Sequence, residues 1–177
     1  MQTNLFGDLQ YGQSFRNVSY LPSYFIQKVL IRSKGWINAI QLQFSNGINS
    51  YLSDMYGGTG GDLSTFDVPS GQYISEITTC WASGTSVMFL QFKTNMGVQS
   101  AKYGTDVSIL GDPCPTVRLT ALLGFGGYVT QGSLGSLQSI YFVYAVPPPP
   151  PTMLSSYSSP ILTCLLYNFI IFFYFNF

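Results

Sequence analysis

The chain has 177 residues with seven basic and seven acidic side chains, and charged residues make up only 8% of it. So low a charge density builds no field for nucleic acid, anionic lipid or a charged substrate, and excludes nucleic acid as a partner. It contains no histidine, and its carboxylates (Asp8, Asp54, Asp62, Asp67, Glu76, Asp106 and Asp112) form no motif-framed pair, so no catalytic residue, metal or cofactor is expected.

The length suits one domain with its own core, followed by a tail of different composition. Residues 1–6 have neither a basic start nor an apolar stretch, so no secretory signal is read there. The chain reads as cytoplasmic only if Met1 is its true start; secretion or membrane association is the favoured reading. Use of the glycosylation sequon Asn17-Val18-Ser19, or of the apolar tail, belongs to that reading.

From there the sequence reads as successive strands, because apolar residues alternate with polar ones between Gly, Asn, Asp and Pro. The runs are 26–32, 37–44, 48–52, 73–79, 86–94, 117–125 and 140–146. The clearest hairpin joins Ile40, Leu42 and Phe44 to the return strand through Asn46-Gly47, a pair suited to a tight two-residue turn. Glycine-rich connections are expected at 7–12, 57–61, 124–127 and 132–135. The pattern predicts an all-β domain over residues 1–146, as a sandwich, barrel or prism.

Five prolines at 147–151 end the domain by removing consecutive backbone donors, and a Pro/Ser-rich linker continues to residue 160. The segment from Ile161 to Phe177 carries no charge and is barely long enough for the roughly 20 residues of a spanning helix. It reads equally as a membrane anchor or as non-native read-through of AT-rich DNA, and less well as a lipid-anchor signal. The cysteines Cys80, Cys114 and Cys164 are odd in number and widely spaced. A Cys80–Cys114 bridge is conceivable, but buried thiols are the favoured reading.

Several landmarks then combine. Gly12-Gln13-Ser14-Phe15 precedes a strand at 26–32, and Tyr56-Gly57-Gly58-Thr59-Gly60-Gly61 precedes Gln72-Tyr73-Ile74. Phe92-Lys93-Thr94-Asn95 is followed by Tyr103-Gly104. In this order the landmarks resemble the jacalin-related lectins, with a similarity also to the zymogen-granule lectins of animals. The resemblance spans about residues 7–146 and implies a β-prism I fold: three four-stranded antiparallel Greek-key sheets with pseudo-threefold symmetry. It further implies metal-independent binding of neutral glycans (mannose, glucose or galactose type), with glycans or glycoproteins as partners. Homo-oligomers are expected because weak sites gain avidity when several engage one surface.

In the family the principal sugar site joins the first glycine-rich loop to a Gly-x-x-x-Asp loop whose carboxylate accepts from sugar hydroxyls. The corresponding residues are Gly12 and Gly135-Ser136-Leu137-Gln138-Ser139, so Ser139 stands where the carboxylate is expected and Asp8 is a substitute acceptor across the cleft. A second site of some members pairs a double-glycine loop with an acidic loop. Here Gly57 and Gly58 match the former, and Asn38 takes the carboxylate position beside Trp36, whose indole suits the apolar face of a pyranose. The expected carbohydrate contacts are therefore Gly57, Gly58, Trp36 and Asn38, with a weaker set of Gly12, Ser136, Leu137 and Ser139. Replacement of both expected carboxylates leaves an alternative: a degenerate prism without sugar affinity that acts as a structural or protein-interaction module.

Overall fold

The computed structural model describes residues 1–7, 10–19, 21, 23–108 and 114–146; Asp8, Asp112, the proline run and the apolar tail with Cys164 lie outside them. In chain order the strands are β1 (Gln13–Val18), β2 (Phe25–Ser33), β3 (Ile37–Ser45) and β4 (Ser50–Leu52). Next come β5 (Tyr56–Gly57), β6 (Asp62–Asp67), β7 (Ile74–Trp81) and β8 (Val87–Thr94). The last are β9 (Tyr103–Gly104), β10 (Thr116–Arg118), β11 (Leu122–Val129) and β12 (Leu137–Tyr144). Among the described residues no helix is long and apolar enough to cross a membrane.

The strands form three sheets, ordered β1-β11-β12, β4-β3-β2-β6 and β10-β7-β8-β9, and every ladder is antiparallel. Each sheet fills four strand positions. In the first, residues 2–6 pair with β12 through Gln2↔Val143 and Phe6↔Ile140. In the second, β4 and β5 follow one another along the free flank of β3. This is the β-prism architecture that the sequence implied.

Each sheet turns its apolar alternation inward, and the three meet on one aromatic residue. Phe92 of β8 is fully buried, with ring centroids 6.1 Å from Phe66 of β6, 6.2 Å from Tyr103 of β9 and 6.1 Å from Phe125 of β11. Phe125 in turn meets Phe142 edge-on at 6.1 Å. Burial of one such ring stabilises by about 1.5–3 kcal/mol before the edge and stacking terms are added.

The structure corrects several sequence expectations. The 117–125 run is two strands, β10 and β11, in different sheets. Gly124, Gly126 and Gly127 are no connection; they sit within the central strand β11, opposite Val18, Arg16 and Phe15 of β1. A Cβ at Gly126 would run into the ring of Tyr141, which covers the strand there. The β3–β4 turn is a four-residue connection between Ser45 and Ser50, not a two-residue one. Asn46 stays at negative φ, and its Oδ1 accepts from the backbone N–H of Ile48 (3.0 Å) and Asn49 (2.8 Å) while Gly47 supplies the positive φ.

Cys80 and Cys114 form a disulfide, contrary to the favoured buried thiols. The reason is register: β10 pairs with β7 as Thr116↔Thr78, which leaves Cys114 directly opposite Cys80. Asn17 is also placed against expectation. It is 3% exposed and its Nδ2 donates to Ser53 Oγ at 2.8 Å, so the folded domain leaves no room for a glycan on that nitrogen.

Candidate functional site

Two of the expected loops lie against each other. Gly57 pairs with Ala39, the Gly58 N–H donates to the Asn38 carbonyl at 2.9 Å, and the Thr59 N–H donates to the Gly132 carbonyl at 3.0 Å. Arg32 holds the loop from its other side by donating to the carbonyls of Gly61 (3.1 Å) and Thr59 (3.4 Å). A Cβ at Gly58 would lie 2.5 Å from the Gly135 oxygen and 2.6 Å from the Gly132 oxygen. The paired glycines thus let the 57–61 loop back onto the 130–136 loop, a close approach that any side chain would block.

Asn38 sits in that seam. It is 3% exposed, its Nδ2 donates to the Gly135 carbonyl at 3.1 Å, and its Oδ1 is buried without a hydrogen-bond partner. Gly57, Gly58 and Asn38 therefore build the contact between the two loops. Gly12 plays a comparable part at the start of β1, where φ is +96° and a Cβ would collide with the Val129 carbonyl of β11.

The turns of the three long hairpins, β2–β3, β7–β8 and β11–β12, converge on one cavity of about 500 Å³. Trp36 lines it from the first turn, Gly84, Thr85 and Ser86 from the second, and Leu134 and Ser136 from the third, with Met88 beside them. Trp36 and Ser136, expected in separate sites, share this single one. The indole is 37% exposed, enough to present a face to a ligand. In the same cavity the Ser86 and Ser136 hydroxyls are 2.7 Å apart, and the Gln138 carboxamide donates to both, at 3.1 Å and 2.6 Å. Thr130 fixes the third turn: its Oγ1 accepts from the Ser136 N–H at 3.0 Å. Among the described residues no charged side chain lines the cavity.

The other expected contacts lie elsewhere. Leu137 is fully buried in the core, and Ser139, opposite Tyr128 in the ladder, is fully buried with a hydroxyl that has no partner among the described residues. Ser139 backs onto the Gly7 backbone, where an added Cβ would stand 3.1 Å from its own. One residue earlier in the strand, it is Gln138 that reaches the cavity's hydroxyl pair. Sequence reasoning missed Gln138, Thr85 and Ser86; the β7–β8 turn reads as an ordinary polar hairpin loop and carries no signal. Of the two groups with perturbed acidity, neither Tyr103 nor Asp106 lines the cavity.

A second cavity, about 460 Å³, lies at the opposite ends of these strands and is lined by Tyr24, Phe25, Tyr73, Leu122 and Leu123 among others. Two of its polar side chains are engaged: Ser19 accepts from the Tyr51 hydroxyl at 2.9 Å and Gln72 from Thr94 at 2.6 Å.

The Jacalin-like lectin domain family matches residues 5–140. The chain belongs to that family. A mannose-binding jacalin-related lectin from Ananas comosus superposes with a TM-score of 0.63 at 23% identity, covering 80% of this chain and 94% of that one. The mannose-binding lectin of champedak gives 0.66 at 17% identity, covering 82% and 96%. Artocarpin, solved with mannotriose, gives 0.65 at 16% identity, covering 82% and 97%. At these identities the superpositions show the shared fold. Comparison with curated proteins gives no match.

Proposed function

We propose that the protein is a non-catalytic lectin domain that binds neutral glycans, without metal, in the cavity formed by the three hairpin turns. The observation that carries this reading is that the partly exposed Trp36 indole lines the same cavity as the Ser86–Ser136 hydroxyl pair, which Gln138 bonds. A pyranose has an apolar face for the indole and hydroxyls for neutral donors and acceptors. The cavity volume, about 500 Å³, falls in the range of small-ligand sites. Membership of a lectin family supports the same ligand class, and the mannose-binding relatives make mannose-type glycans the first to try.

With no carboxylate among the described residues that line the cavity, affinity rests on neutral hydrogen bonds of about 0.5–1.5 kcal/mol each plus stacking. Single sugars are therefore bound weakly, and useful avidity requires several sites on one surface. The test is a glycan array with the purified protein, followed by calorimetry on hits with wild type and Trp36→Ala. Saturable binding without calcium that falls about tenfold or more in the variant supports the lectin reading. Silence across the array with folded protein would sink it and favour the alternative.

That alternative, a prism serving only structure or protein interaction, has its own supporting observation. Asn38, Gly57 and Gly58 are engaged in loop-to-loop contact, and the Ser86, Ser136 and Gln138 side chains already satisfy one another.

A further inference from the structure

On the third sheet, one cross-strand row runs from Gly104 through Phe89 to Cys80, and the β10 register places Cys114 next in line. After β9 the chain folds back so that Val107 packs with Cys80 and Phe89 in a small cluster separate from the main core, with Met88 and Cys114 against it. This fold-back carries Asp106 to the sulfurs. Cys80 Sγ and Asp106 Oδ1 are 4.0 Å apart, and the two sulfurs and a carboxylate oxygen all lie within 4.8 Å of one another. Ser108 holds the carboxylate in place by donating to Oδ1 from its N–H (3.1 Å) and its hydroxyl (2.6 Å), and Lys102 Nζ lies 3.4 Å from Oδ2.

We propose that Cys80, Cys114 and Asp106 form a thiol-gated site for a divalent cation, closed as a disulfide when oxidised and open as a three-ligand metal site when reduced. Two thiolates and one carboxylate are the donor set that Zn²⁺ accepts, with a fourth position left for water. An external dithiol drives the opening. Its thiolate attacks one sulfur, the Cys80–Cys114 bond breaks, and the dithiol closes to its own disulfide. It gives up two electrons and two protons, and the cysteines are left as two thiols. Metal binding then releases those two thiol protons as two sulfur–metal bonds form.

With the bond open, side-chain rotation separates the sulfurs to the roughly 3.7 Å that ~2.3 Å bonds at a tetrahedral angle require. Asp106 is already held within reach. Two thiolates, one carboxylate and a divalent cation sum to a single negative charge, which the Lys102 ammonium beside Asp106 offsets.

The test uses the full chain with Cys164→Ser, so that only this cysteine pair remains, titrated with Co²⁺ after reduction by a phosphine and, in parallel, while oxidised. The reduced protein is expected to bind one Co²⁺ with a thiolate charge-transfer band and tetrahedral visible bands that Zn²⁺ removes; the oxidised protein shows neither. Asp106→Asn is expected to weaken Co²⁺ by about tenfold or more. Circular dichroism on each sample verifies the fold. A reduced, folded protein without the thiolate band overturns the proposal, as does equal Co²⁺ binding by the oxidised form or affinity unchanged by Asp106→Asn.

Discussion

The Asn38 carboxamide donates to the Gly135 carbonyl at 3.1 Å, joining residues 97 positions apart and tying the β2–β3 hairpin to the turn that carries Ser136. Because the bond is buried, removing it leaves an unpaired carbonyl. Asn38→Ala is expected to cost about 1–3 kcal/mol in urea unfolding. Asn38→Asp, although it restores the acid that the family resemblance places here, removes the donor and sets a carboxylate against the Gly135 oxygen. It should destabilise more than alanine does; equal or greater stability than wild type would contradict the clamp.

Gly58→Ala tests the packing of the same seam. Gly58 is not at positive φ, so the cost arises from the Gly132 and Gly135 oxygens that the new Cβ would meet. About 1–3 kcal/mol is expected, together with a displaced Ser136 turn and weaker glycan binding. Gly47→Ala is the control: with nothing within 4 Å of the new Cβ, only the backbone at φ +90° is strained and binding is left intact.

Trp36→Ala should separate binding from stability. The side chain is partly exposed and lines the cavity, so unfolding free energy is expected to fall by about 1–2 kcal/mol, short of the roughly 3–5 kcal/mol of a core aromatic, while glycan affinity falls. A loss of stability as large as that of a core aromatic would mean the indole is a packing residue.

Reduction of the Cys80–Cys114 disulfide in the absence of metal should lower stability by about 2–4 kcal/mol, given the 34-residue separation it closes. Unfolding curves with and without a phosphine reductant measure this directly. The Cys80→Ala, Cys114→Ala double variant should match the reduced protein and no longer respond to reductant.

Alkaline pH offers a further check. Burial raises the Tyr103 pKa above its ordinary value of 10.0, assisted by the negative charge of Asp67 and opposed by a hydrogen bond with Ser100. A folded pKa above the unfolded one means the native state holds its proton more tightly, so this stabilisation is present below about pH 10 and is lost as pH rises through the folded value. In Tyr103→Phe, the decline in stability above pH 10 should be shallower than in wild type.

The strands of this prism were largely legible in the sequence. Alternation at 26–32, 37–44 and 86–94 marks segments that became β2, β3 and β8, because a half-buried strand needs period two. The family was legible as well, from glycine and aromatic landmarks in fixed order. Where a glycine serves a strand, not a turn, sequence reading failed: Gly124, Gly126 and Gly127 look like a loop until β1 and Tyr141 are seen pressed against them. The disulfide was hidden for a related reason, since the Cys114–Cys80 register depends on which strand β10 joins.

The site divided along the same line. Composition by itself pointed to its chemistry, neutral and hydroxyl-rich, because a chain with 8% charged residues and no histidine offers a ligand mainly Ser, Thr, Gln, Asn and aromatics. Which of those residues face one cavity was decided by tertiary structure alone. Trp36, Ser86 and Ser136 lie on three separate hairpins, and only the closure of three sheets around Phe92 brings their turns together. The same closure draws Asn38, Gly57 and Gly58 into the seam, because sequence gives the order of side chains along each strand and packing sets which strands are neighbours.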